Sequence, residues 1–120
     1  MVNKINLAEK FNKFQDAYQP KIAAALNDSY LKLVKIRGEF VWHQHENEDE
    51  LFWVVQGRLQ VKLRDGDIWL EPGEFVVIPR GVEHCPFAPD EAQVVLLEPK
   101  TTLNTGDIQN ERTVAQPDWI

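Results

Sequence analysis

Trp42-His43-Gln44-His45-Glu46-Asn47-Glu48-Asp49-Glu50-Leu51-Phe52-Trp53-Val54-Val55-Gln56-Gly57 is the stretch that decides how this chain folds. His43 and His45 stand two apart, and residues two apart in an extended strand project from one face. A short acidic turn, Glu46 to Asp49, separates them from Glu50 and an apolar run that stops at Gln56-Gly57. Two imidazoles on one face, followed by a carboxylate, form a chelating arrangement. The third and last histidine, His84, sits just past a second apolar run, in Pro79-Arg80-Gly81-Val82-Glu83-His84. The expectation is that His43, His45, Glu50 and His84 converge on one metal ion.

The flanks on both sides are strand-like. Arg58 to Arg64 alternates cleanly, with Leu59, Val61 and Leu63 on one face. Asp65-Gly66 is a two-residue hairpin signal. Glu71-Pro72-Gly73 and Pro79-Arg80-Gly81 turn the chain again around the all-apolar Phe75–Ile78. Two further strands are expected at His84–Phe87 and Ala92–Leu97, divided by Pro89-Asp90. Upstream, Leu31 and Leu33 share one parity while Val34 and Ile36 take the other. A β-bulge at Leu33-Val34 or burial on both faces accounts for the slip. Lys21–Leu26 reads as a strand, although Ala23-Ala24-Ala25 suits a helix as well. Asn6 with Glu9 resembles a capping box, and Leu7, Phe11, Phe14 and Tyr18 follow at helical spacing, which predicts a helix over 7–18. Residues 101–120 are mostly polar and read as a C-terminal extension wrapping the barrel or a partner subunit. The sum is about eight short strands, an all-β sandwich or barrel.

At 120 residues the chain suits one domain with a sizeable core. A net charge of −6 argues against nucleic acid or an anionic membrane surface as partner. The single cysteine, Cys85, permits no internal disulfide, which suits a reducing compartment. The N-terminus lacks the apolar core of a secretory signal, so the expected location is cytoplasmic. No apolar run is long enough to span a bilayer.

Two spacings now stand together. The first is Gly38, then His43-Gln44-His45, four residues, Glu50, six residues, Gly57. The second is Gly73, five residues, Pro79-Arg80-Gly81, two residues, His84. In this order they resemble the two motifs of the cupins. The Gly38-to-His43 spacer is one residue shorter than usual, and the closing Asn of the second motif is Ala88. The resemblance covers about residues 31–97. It implies a double-stranded β-helix, or jelly-roll barrel, with the metal inside. It does not imply one activity, since oxygenases, isomerases, cyclases and non-catalytic binding proteins share the barrel.

Three imidazoles and a carboxylate leave one or two positions open on a divalent ion. Such a set suits zinc, iron, nickel or copper, and the carboxylate also admits manganese. Each donor alone has a plainer role: a lone strand histidine is a half-buried polar residue, and Glu50 a turn-flanking carboxylate. The set argues for the metal, because Glu50 heading an apolar run is costly to bury unpaired. Glu46, Glu48 and Asp49 read as a solvated turn. Cys85 faces away from His84 and reads as packing. Phe52, Val54, Phe75 and Val77 read as core. Trp42, Trp53 and Trp69 supply a second sheet face or a dimer contact. Arg58, Arg64 and Arg80 read as solvated surface. No separate general acid or base stands out. The expected protein is a cytosolic homodimeric metal-binding cupin acting on a small organic molecule, as an oxygenase, isomerase or cyclase-like enzyme. The alternative is a non-catalytic protein that binds or senses its ligand.

Overall fold

The computed structural model describes residues 2–120. Its elements are a short helix α1 (Leu7–Phe11) and the strands β1 (Lys21–Leu26), β2 (Ser29–Glu39), β3 (Glu50–Gln56), β4 (Leu59–Leu63), β5 (Ile68–Leu70), β6 (Phe75–Ile78) and β7 (His84–Pro99). All strand pairs are antiparallel, in the order β1-β2-β7-β3-β6, with β4 joining β7 to β5. The fold is all-β, a jelly-roll barrel.

β7 makes the barrel. One edge of it pairs with β2 over most of its length. Its other edge pairs first with β4, through His84–Phe87, and then with β3, through Gln93–Leu97. Where the expected pair of strands should part, the chain bends instead. Ile36 faces Ala92 and Gly38 faces Ala88, so one residue of β2 spans three of β7. That mismatch folds the sheet over on itself. The interior is filled by Val34, Ile36, Phe52, Val54, Leu59, Val61, Val94 and Leu96, among others.

Three expectations need correction. The register of β2 with β7 runs unbroken through Leu33 and Val34, so no bulge lies there; residues 32–36 are buried on both faces. Lys32 points inward with Val34 and Ile36, and Lys35 points outward beneath Phe14, whose carbonyl accepts from its Nζ at 2.7 Å. The helix stops at Phe11, not Tyr18, because the chain then lies along β2, with Tyr18 N–H donating to Lys35 O at 2.8 Å. Phe11 and Phe14 cover the outer face at Leu33 and Val95. Phe75 and Val77 are not core: they are 60% and 48% exposed, on the outer face of β6.

The C-terminal extension wraps the barrel of its own chain. Ile22 N–H donates to Asp118 O at 2.8 Å, and Ile120 N–H donates to Ile22 O at 3.0 Å, along the free edge of β1. Among the described residues, no helix is long and apolar enough to cross a membrane.

Candidate metal centre

Glu50 opens β3 and His84 opens β7, both at one end of the barrel. His43 and His45 lie on the irregular chain between β2 and β3, where a strand is expected from sequence. A single bridge replaces the ladder there. His43 N–H donates to His84 O at 3.0 Å, and His84 N–H donates to His43 O at 2.9 Å. Gly81 N–H donates to His45 O at 2.8 Å. The turn after β6 thereby holds both histidines against the third.

All four expected side chains meet. One ligating atom from each lies within 4.8 Å of the others, and the residues are at most 4% exposed. His45 Nε2 and His84 Nε2 stand 3.3 and 3.4 Å from Glu50 Oε1. These contacts are close but are not aligned as hydrogen bonds, and among the described residues His43 Nε2, His45 Nε2, His84 Nε2 and Glu50 Oε1 have no such partner. Buried polar atoms left this way point to a missing ion. The two contacts to Glu50 fit: donors about 2.0–2.2 Å from an ion stand roughly 3 Å from their neighbours.

The tautomers fit too. Nδ1 of His43 is 2.8 Å from Val41 O, and Nδ1 of His84 is 2.9 Å from Val82 O. A carbonyl can only accept, so each Nδ1 carries the proton and each Nε2 turns its lone pair to the cluster. Burial, then the neighbouring His84, pushes the His43 pKa down to about 4. A ligand must be unprotonated to bind a metal, and His43 is so at neutral pH.

Sequence reasoning misses two charged residues behind Glu50. Lys32 and Glu98 are buried, with Nζ 2.8 Å from Glu98 Oε1. Burial would raise the Glu50 pKa, but the proximity of Glu98, His45 and His84 outweighs it and holds the carboxyl well below its usual range. Burial and the Glu50 charge push Glu98 well above that range, against the pull of Lys32. Glu98 continues the inward parity of Val94 and Leu96, and Lys32 that of Val34 and Ile36, so the signal was the alternation itself.

The remaining candidates lie elsewhere. Glu48 accepts from the Thr101 hydroxyl at 2.8 Å, Asp49 accepts from Arg80 N–H at 2.9 Å, and Glu46 is exposed. Cys85 is a buried free thiol, pushed up to about 11 by burial and by Glu39. Arg64 stacks on Trp42 at 3.7 Å and Arg58 on Trp69 at 4.4 Å, each also paired with a surface glutamate. A cavity of about 30 Å³ borders His43 and Glu50, walled by Tyr18, Ile36, Phe40, Phe52, Leu96 and Asn104.

A family model for the cupin domain, Cupin_2, matches residues 31–100. The chain belongs to the cupin family. A cupin-2 domain-containing protein of Shewanella frigidimarina, known from a crystal structure, is 47% identical, with a TM-score of 0.79 over 80% of this cupin and 94% of that chain. The uncharacterized protein YdbB of Bacillus subtilis is 30% identical over 80 residues, 66% of this cupin and 71% of its own length. A Saccharolobus solfataricus protein with a provisional dioxygenase name is 26% identical over 105 residues, 85% of this cupin but 27% of its own length.

Proposed function

We propose that this cupin is a metal-dependent enzyme acting on a small organic molecule, with His43, His45, Glu50 and His84 holding a zinc, iron, manganese or nickel ion. One observation carries the reading: four buried donors face one another with no aligned partner, at the edge of a cavity. Left without an ion, such a set costs several kcal/mol to bury. Oxygenase chemistry is the favoured form, supported by the name of the Saccharolobus relative; isomerase or cyclase-like chemistry would use the same site. When bound, the ion supplies a net positive centre that polarises a substrate oxygen or, if redox-active, activates dioxygen.

The chain's own residues shape what enters. Ile36, Phe52 and Leu96 give the cavity an apolar lining, while Tyr18 and Phe40 stack with centroids 4.6 Å apart as one wall. The Tyr18 hydroxyl donates to Gly38 O, so it is already committed. Glu50 is the one carboxylate lining the cavity among the described residues. That shortage of free acids and bases favours a second reading, a protein that binds or senses its ligand without turnover. We place either protein in the cytosol as a homodimer, with a small molecule rather than nucleic acid or membrane as its partner, in keeping with the net charge of −6.

Elemental analysis of protein purified without added metal tests the centre. The expected result is about one divalent ion per chain, lost in His84→Ala. A wild type that takes up none, or a variant that keeps full stoichiometry, overturns it. Oxygen uptake on small enolisable or aromatic compounds then separates the two readings: product supports the enzyme, and saturable binding without product supports the binding protein.

A further inference from the structure

The chain that follows β7 is built onto the segment between the two histidines. Residues 102–114 hold neither helix nor strand, yet they are internally bonded. The Thr105 and Thr113 hydroxyls are 2.7 Å apart, and Thr105 is fully buried. The Asn104 amide donates to Arg112 O at 2.9 Å, and its oxygen accepts from Val114 N–H at 2.8 Å. Arg112 anchors one end of this strap by donating to Glu39 O at 2.9 Å.

The other end is a corner at Gly106-Asp107. The Asp107 carboxylate accepts from Gln44 N–H at 2.9 Å, and Asp107 N–H donates to Gln44 O at 3.0 Å. One residue thus takes both backbone polar groups of Gln44, which stands between His43 and His45. Gly106 lets the corner come this close. Its φ is +57°, and a Cβ there would lie 2.1 Å from Gln44 O and 3.0 Å from His43 Cδ2. His45 needs outside support: among the described residues its Nδ1 has no hydrogen-bond partner, so no side-chain bond orients its ring as in His43 and His84.

We propose that Gly106 and Asp107 are positioning residues, clamping His43-Gln44-His45 in ligating geometry, so that metal affinity is set partly from outside the family-matched region. The inference rests on the metal reading above. A carboxylate bond to a backbone N–H is charge-assisted and stronger than a neutral one. Supporting shells of this kind change metal affinity when lost.

The test uses the full chain as wild type, Asp107→Ala, Asp107→Asn and Gly106→Ala. Zn²⁺ affinity is read by chelator competition, geometry by the visible bands of the Co²⁺-loaded protein, and folding by thermal unfolding without metal. Asp107→Ala is expected to weaken Zn²⁺ binding about 10- to 100-fold and to shift the Co²⁺ bands. Asp107→Asn keeps the acceptor without its charge and is expected to restore the bands and most of the affinity lost in Asp107→Ala. Gly106→Ala displaces Gln44 and loses affinity with Asp107 intact. A folded Asp107→Ala with wild-type affinity and bands overturns the clamp; if that variant does not fold, wild-type binding by Gly106→Ala does so. A wild type that binds neither ion sinks the metal reading, and the clamp with it, whereas a wild type that binds beside indifferent variants sinks the clamp alone.

Discussion

At the scale of the residue, the centre is a set of groups whose burial is costly until an ion arrives. His43 states this most directly. Its pKa in the fold is about 4, against 6.5 for a free imidazole, because burial and His84 disfavour the imidazolium. The unfolded chain therefore binds the proton more readily. The associated stability is fully present above pH 6.5, is lost as pH falls from there to about 4, and changes no further below. The size is about 3 kcal/mol, from roughly 1.4 kcal/mol for each pH unit between the two pKa values. Glu98, pushed up by burial and Glu50, works in the opposite direction above pH 4.5, gaining stability on acidification. The measurement is accordingly a difference. Urea unfolding of metal-free wild type and His43→Gln, between pH 7 and 4, should show a steeper acid loss in the wild type by about that amount. Equal slopes would mean that His43 is not held neutral.

At the scale of the element, the donors are brought together by turns and bends as much as by strands. Gly57 is the clearest case. It ends the apolar run of β3 with φ at +82°, and a Cβ there would stand 2.5 Å from Glu91 O and 3.0 Å from Ala92 Cα. The turn from β3 to β4 passes beneath the bend of β7, and only a residue without a side chain fits. Gly57→Ala combines left-handed strain with a backbone clash, and should cost about 2 kcal/mol or more, read as a lower urea midpoint at unchanged slope. An unchanged midpoint would show that β7 yields easily at this place. The glycine was legible in the sequence, as were the four donors, because strand parity and turn residues are local signals. Other features depended on distant parts of the chain. His43 and His45 share a face, yet the bridge to His84 holds the first and Gly81 N–H the second, and not a strand ladder. Lys32 and Glu98 follow the inward parity of their neighbours, but a charge is costly to bury unpaired, and that these two pair with each other shows only in three dimensions. Phe75 and Val77 looked like core because an apolar strand does not reveal which of its faces is covered. The strap at Gly106-Asp107 carries no period at all, and its role shows only where Gln44 meets it.

At the scale of the whole molecule, the two edges of the main sheet are finished differently. The edge at β1 is closed by the chain's own end, through Ile22 with Asp118 and Ile120. The edge at β6 pairs only with β3 among the described residues. Beside it Trp53 faces Phe75 and Leu51 faces Val77, and Trp53, Phe75 and Val77 are exposed on the outer surface. An open edge flanked by aromatic and aliphatic side chains invites another strand. A second copy of this chain, offering the same edge and the same patch, would close a two-fold pair there, which is the outcome to test. Trp53 alternates away from Glu50 along β3, so the patch and the metal centre lie on opposite faces of one strand. This separation allows a sharp test. The double variant Trp53→Ser/Phe75→Ser should sediment as a monomer where the wild type sediments as a dimer, while both keep the same metal content. A wild type that is monomeric at tens of micromolar overturns the pairing, and a variant that loses metal together with its partner shows that the centre depends on the assembly.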